Sequence, residues 1–224
     1  MNPELKIVLC SASPRRQQLL KELGFHFETM VKDVDEQFPV HLKAEHVALF
    51  LAEKKAGAFS PEFRKDSVYI TADTIVWLEN EVLNKPAGPR EAIEMLKKLS
   101  GKTHQVYTGV CLAGIAGRTC FCVRSDVEFN KLTEDEIRYY VNDYEPFDKA
   151  GSYGAQECLP EGMNPCSDAE KAFMKTNSHP DLFEKTMLKN KKHMPIIKRI
   201  EGSYFNVMGL PVVELYNEIM NYEL

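Results

Sequence analysis

An apolar run that stops abruptly and hands over to a helix sets the first limit on what this chain can become. Leu5-Lys6-Ile7-Val8-Leu9-Cys10 ends at the small stretch Ser11-Ala12-Ser13, and Pro14 to Leu23 then carries Leu19, Leu20 and Leu23 at helical spacing before Gly24. Strand, loop and helix in that order point to an α/β architecture. The 224 residues suffice for one large α/β domain or two intimate lobes around a sizeable core.

The pattern continues in kind. Phe25 to Val31 alternates as a second strand and leads into the acidic loop Asp33-Val34-Asp35-Glu36, and a helix is predicted from about Ala44 to Phe59. Ser67-Val68-Tyr69-Ile70-Thr71-Ala72 reads as a buried strand that delivers Asp73 and Thr74 to its middle or end. Trp77 to Leu83 reads as a hairpin, Pro89 to Leu99 as a helix stopped by Gly101, and Gln105 to Ala113 with Thr119 to Leu132 as an antiparallel pair. Thr133 and Glu136 form a capping-box signature for a short helix. Residues from about Glu157 to His193 turn to Lys, Asn, Pro and Met with weak periodicity, and they read as an inserted excursion. A strand-like run, Met194 to Ile200, and a helix, Pro211 to Tyr222, close the chain.

Bulk properties remove several classes. A formal net charge of -5 gives no general attraction to a polyanion, so no stable nucleic-acid binding is expected and nucleotide binding must rest on a local basic site. Apolar runs fall far short of the roughly 20 residues a membrane helix needs, and no export-type apolar stretch opens the sequence. The six cysteines lack C-x-x-C spacing, which predicts reduced thiols in a cytoplasmic setting. The six histidines lack metal-ligand spacing, and neither G-x-x-x-x-G-K-[ST] nor G-x-G-x-x-G occurs.

Candidate chemistry gathers at a few places. Ser11 and Ser13 offer hydroxyls and backbone amides at a helix start, where the partial positive charge attracts phosphate. Arg15 and Arg16 add forked donors there although cations oppose the helix dipole, so this is either an anion site or two solvated arginines behind an ordinary cap. The loop carrying Glu36 is either a solvated turn or part of a metal site. Asp73, in a core strand, must meet a cleft, a cation or a hydrogen-bond network, because an unpaired buried carboxylate is costly. Glu36 and Asp73 together suit Mg²⁺ or Mn²⁺ held against phosphate oxygens, and Asp73 suits activation of a water. Lys55 and Lys85 are either surface lysines or counter-charges. Lys149 sits beside a glycine-permitted turn, and Gln156 carries both a donor and an acceptor for a base edge.

Six segments in order resemble the Maf family: Ser11-x-Ser13-Pro14-Arg15-Arg16, Ala72-Asp73-Thr74-Ile75-Val76, Asn84-Lys85-Pro86, Leu99-Ser100-Gly101, Asp148-Lys149-Ala150-Gly151-x-Tyr153-Gly154-x-Gln156, and Gly202-Ser203-x-x-Asn206-Val207-x-Gly209-Leu210-Pro211. The resemblance covers nearly the whole chain outside the excursion. It implies a Maf/ITPase-like two-lobed α/β fold, a single domain over residues 1–224 with an elongated mixed sheet, flanking helices and a central cleft. It implies a nucleotide pyrophosphatase that cuts a nucleoside triphosphate between its α and β phosphates, depends on a divalent cation and forms a homodimer. Carried over by position, Ser13 and Arg16 would bind phosphate, Glu36, Lys55, Asp73 and Lys85 would form the catalytic cluster, and Asp73 would accept the proton. Arg15, Thr74 and Gln156 match the members that prefer dTTP and UTP. One departure stands out: Glu157 follows Gln156 where the family usually has glycine, and the excursion then intervenes. Its loop-like composition predicts a disordered surface segment, with a cover over the cleft or a partner contact as alternatives. The rival to an enzyme is a nucleotide-binding regulatory protein without turnover, and a third reading is an interaction module built on the excursion.

Overall fold

The computed structural model describes residues 5–187 and 193–222. In chain order the regular elements are β1 (Lys6–Leu9), α1 (Pro14–Glu22), β2 (Phe27–Thr29), α2 (Glu45–Ala58), β3 (Ser67–Leu78), β4 (Glu81–Leu83), α3 (Pro89–Leu99), β5 (Thr103–Gly114), β6 (Gly117–Phe129), α4 (Glu134–Tyr144), α5 (Ala155–Cys158), α6 (Asp168–Thr176), α7 (Leu182–Thr186), β7 (Ile197–Gly202), α8 (Tyr204–Met208) and α9 (Val212–Asn221). The capping box at Thr133 and Glu136 forms as the spacing predicts and starts α4.

Among the described residues, seven strands make one mixed sheet in the order β2-β1-β3-β5-β6-β7, with β4 on β3. The first three strands run parallel and the remaining pairs antiparallel. The strand period of two then sorts β3. Val68, Ile70, Ala72, Val76 and Leu78 enter the main core, while Tyr69 and Ile75 pack on the opposite face, Ile75 with Val47, Ala48 and Leu51 of α2. Asp73 shares the α2 face and Thr74 the other, so two adjacent residues meet two different sets of partners.

The sheet also contains a gap that positions the site. On one edge, β3 pairs with β1 through Ser67 to Ile70 and with β4 from Val76 to Leu78. Between these neighbours, Thr71 to Ile75 face no strand on that side. The gap lies at the carboxyl end of β1, beside the start of α1, where parallel α/β sheets leave room for ligands.

Helix α2 reaches this gap because β5 has a glycine opposite Asp73. A Cβ on Gly109 would stand 2.3 Å from the Ala48 carbonyl oxygen, so only glycine lets the helix settle so close to the sheet.

Two expectations are corrected here. The segment from 157 to 193 is not a disordered loop as far as it is described: it forms α6 and α7, and Phe173, Met174, Leu182 and Phe183 are buried in the main core. Its large apolar residues Phe173, Met174, Leu182 and Phe183 are placed inward at irregular spacing, which a weak periodicity conceals. Residues 188–192 of that segment lie outside the described residues. The second correction concerns the thiols. Register sets Cys111 opposite Cys120 across β5 and β6, and the two are joined as a disulfide with Cα atoms 4.2 Å apart, whereas Cys10, Cys122, Cys158 and Cys166 are free. A hairpin pairing of this kind has no C-x-x-C signature.

Candidate active site

The gap along β3 opens into a cleft of about 530 Å³, walled by the Ser11–Arg16 loop, the 31–36 loop, the inner side of α2, Asn84 and Lys85, the 148–155 turn and residues 207–209. Ser13 occupies the N-cap position of α1 but its hydroxyl caps nothing, so the hydroxyl and the first-turn amides remain for a ligand. The Ser13 amide donates to Ser11 Oγ at 3.2 Å, and Gln17 Nε2 donates to the Ser11 carbonyl at 3.2 Å, which holds the loop open.

Four of the sequence-predicted residues converge on one side of the cleft. Lys55, in the last turn of α2, donates to Glu36 Oε1 at 2.8 Å and to Asp73 Oδ1, and Lys85 Nζ stands 3.8 Å from the same Glu36 oxygen. Asp73 is 7% exposed. Burial pushes its carboxyl above the usual carboxylate range, and Lys55 and Arg16 only partly offset that. Burial also pulls Glu36 upward, but the hydrogen bond and charge of Lys55, with the charges of Lys85 and Arg16, outweigh it and leave Glu36 below its ordinary value. The same environment therefore shifts the two acids in opposite directions, Asp73 toward its protonated form and Glu36 toward its anion.

The two carboxylates already share one cation, the Lys55 ammonium. Among the described residues no group of three or more His, Cys, Asp or Glu could hold a metal alone. A convergent pair fits Mg²⁺ or Mn²⁺ arriving with a triphosphate, because such ions take a carboxylate or two and fill the remaining positions with water and phosphate oxygens.

The paired arginines divide, and only partly as expected. Arg16 forms the cleft floor, where Nε donates to the Gly209 carbonyl at 2.7 Å, Nη1 to the Ala72 carbonyl at 2.9 Å and Nη2 to Thr74 Oγ1 at 3.0 Å. The Ala72 carbonyl is the free acceptor at the β3 gap. With most of its donors spent on the protein, Arg16 has little left for direct phosphate contact and acts chiefly through its charge. Thr74 has little freedom either. Thr108 donates its hydroxyl hydrogen to the Asn206 carbonyl at 3.0 Å, so across their 2.9 Å contact Thr74 must donate to Thr108 while accepting from Arg16.

At the opposite rim Arg15 Nη1 reaches Asp148 Oδ2 at 3.2 Å and Lys149 Nζ reaches Asp148 Oδ1 at 2.8 Å. Asp148 is thus a site residue that pattern reading passed over, although it lies inside the quoted Asp-Lys-Ala-Gly segment. Gly151 in that segment must be glycine: its φ is +68°, and a Cβ there would meet Val76 at 2.9 Å. Gly209 was likewise read as motif only, whereas its carbonyl anchors Arg16.

Gln156 is not brought to the cleft. Helix α5 turns it inward, where it is buried and its Nε2 donates to the Thr186 carbonyl of α7. The expectation that it faces a base edge is corrected, because the segment beyond residue 157 supplies its partner. Cys10 borders the cleft as a buried thiol, and burial with the Glu62 charge pushes it up to about 12, which disfavours the nucleophilic thiolate.

Comparison with known proteins follows the same lines. The family model described as Maf-like protein matches residues 6–164. The dTTP/UTP pyrophosphatase of Bacteroides fragilis is 44% identical over 215 residues, covering 96% of this chain and 94% of that protein. That of Porphyromonas gingivalis is 40% identical over 220 residues, covering 97% and 94%. A solved structure of the Staphylococcus aureus Ham1 protein matches with a TM-score of 0.40 at 16% identity, over 55% of this chain and 71% of that one. Among the described residues no helix is long and apolar enough to cross a membrane.

Proposed function

The chain belongs to the Maf family, and from that premise we propose that it is a nucleoside triphosphate pyrophosphatase acting as one two-lobed domain on dTTP and UTP, releasing a nucleoside monophosphate and pyrophosphate. The observation that carries this reading is the meeting of a buried, proton-hungry carboxylate with a basic cluster at a gap in the sheet: Asp73, Lys55, Lys85 and Arg16 line one cleft. The names borne by relatives of near-complete coverage support the pyrimidine substrates.

In this mechanism the triphosphate lies against the amides and hydroxyls of Ser11 and Ser13, with Arg15 and Lys149 at the rim. Glu36 and Asp73 would hold a divalent cation, Mg²⁺ or Mn²⁺, which when bound neutralises charge on the phosphate oxygens. Asp73 takes a proton from a water whose oxygen forms the new bond to the α-phosphorus. The bond from that phosphorus to the bridging oxygen breaks, and pyrophosphate carries away the electron pair. Lys55 keeps the Asp73 carboxylate ionised before this step, while Lys85 and Arg16 stabilise charge on the transferred group.

The test is a product assay with purified chain and Mg²⁺ or Mn²⁺. Pyrophosphate should appear faster from dTTP and UTP than from ATP and GTP. Equal rates on all four remove the pyrimidine preference, and tight dTTP binding without any pyrophosphate returns the chain to the regulatory reading.

A further inference from the structure

A second carboxylate in this molecule is buried more deeply than Asp73 and has no place in the mechanism. Glu170 of α6 is 1% exposed. Among the described residues it accepts five hydrogen bonds, all from neutral donors: Ser167 N at 2.8 Å, Ser167 Oγ at 3.1 Å and Tyr204 N at 3.1 Å on Oε2, and Ser203 Oγ at 2.6 Å and Phe205 N at 3.0 Å on Oε1. The first of these, with the Glu170 amide donating back to Ser167 Oγ at 3.2 Å, closes the capping box of its own helix. The last three belong to the start of α8: across 33 to 35 residues of sequence Glu170 accepts from the Ser203 hydroxyl and from the otherwise unpaired amides of Tyr204 and Phe205.

Helix α8 is short, and both its ends are committed. Its N-terminus rests on Glu170, and at its C-terminus the Gly209 carbonyl accepts from Arg16 Nε at 2.7 Å. Between them the Asn206 carbonyl terminates the relay from Arg16 through Thr74 and Thr108. Besides lining the cleft through Val207 and Met208, α8 is thus tied by hydrogen bonds to the Arg16 guanidinium and to the threonine that orients it.

We propose that Glu170 is a positioning residue for the cleft: it fixes α8 so that the Gly209 carbonyl and Thr74 hold Arg16 beneath the transferred phosphate. On this view Glu170 ties α6 to the scaffold of the cleft. The inference rests on the pyrophosphatase reading for its kinetic consequence, but its structural consequence is independent of it.

The experiment compares the full chain with Glu170→Gln, Thr74→Val, the double variant, and Phe173→Ala, which weakens the same helix without touching α8's cap. Glu170→Gln keeps the shape but turns an amide NH₂ toward donors, and a buried donor left unpaired corresponds to about a tenfold or larger loss in kcat/KM. Phe173→Ala should lower Tm yet leave kcat/KM for dTTP within about twofold, since it removes packing remote from the cleft. The double variant should be no worse than the poorer single one, because both act through Arg16. Amide hydrogen exchange on the same proteins should quicken at residues 204–209 and 72–74 in Glu170→Gln and not in Phe173→Ala. If Glu170→Gln and Thr74→Val multiply, or if folded Glu170→Gln keeps full kcat/KM, the proposal fails. Should the unaltered chain turn over no dTTP, the function reading falls by itself, and unchanged exchange at 204–209 and 72–74 still overturns the role of Glu170.

Discussion

Asp73 and Glu170 are both carboxylates in the interior, and they are handled in opposite ways. Glu170 is surrounded by neutral hydroxyls and amides that spend all of its acceptor capacity on backbone and caps. Asp73 faces an ammonium, a second carboxylate and an open cleft, and burial still pushes its carboxyl upward. A carboxyl group whose oxygens are all engaged by fixed hydrogen-bond donors is a building element. A charge balanced by other charges, with one side toward a cavity, remains able to change protonation, and that is what acid-base chemistry requires.

The sharpest way to break this contrast is Asp73→Asn. Turnover of dTTP should fall by about a hundredfold or more, the usual loss on removing an acid-base group. Stability should not fall with it. A carboxyl whose folded value is raised contributes its full stability below the ordinary Asp range and loses it as pH rises through the raised value, so ionisation of Asp73 is a cost to the fold and never a gain. Tm measured at pH 7 should therefore be equal or higher in the variant. Undiminished turnover would remove Asp73 from the proton-acceptor role, and a clearly lower Tm would move it into the class of Glu170.

Lys55→Met sharpens the same point with a smaller effect. Lys55 is the main influence that draws Asp73 back down against burial. Without it, Asp73 should stay protonated to higher pH, and kcat/KM at neutral pH should drop about tenfold to a hundredfold, within the range for uncovering a buried charge. The informative readout is the pH profile: the rising limb of kcat/KM should move to higher pH, with part of the loss recovered there. A depressed but unshifted profile would mean that Lys55 serves the phosphates and not Asp73.

The contrast also explains what the sequence discloses and what it hides. Asp73 announces itself because a carboxylate after Tyr69-Ile70-Thr71-Ala72 violates the apolar pattern of a core strand. Lys55 and Lys85 become meaningful only through resemblance, since their own surroundings in the sequence are those of ordinary surface lysines. Elements with strong local signals, such as α3 behind Pro89 and α4 behind its capping box, stand where periodicity puts them. Glu170 hides for the converse reason. It sits in a lysine-rich stretch whose buried residues are spaced irregularly, and its partners at 203–205 lie more than thirty residues away. Gln156 was misplaced by the same omission: its partner, Thr186, lies in that stretch too. Neither the gap along β3 nor the disulfide across β5 and β6 has a local signature, because both are products of strand register.

Asp148 gives the smallest test and completes the comparison, as a carboxylate that is neither buried nor spent. Its side chain is 60% exposed and bridges Arg15 and Lys149 across the rim. Pairs this open contribute little, so Asp148→Asn should change stability by no more than about 0.5 kcal/mol. Its effect on binding should have the opposite sign to that of the other variants. Where the cleft awaits a polyanion, this carboxylate competes with phosphate for two cations, and neutralising it should lower KM for dTTP by about two- to fivefold, shrinking as salt screens the rim. Steady-state kinetics at low and high ionic strength reads this directly. A raised KM would instead show that Asp148 holds Arg15 and Lys149 in their working positions, and would place it with Glu170 among the residues that organise the cleft.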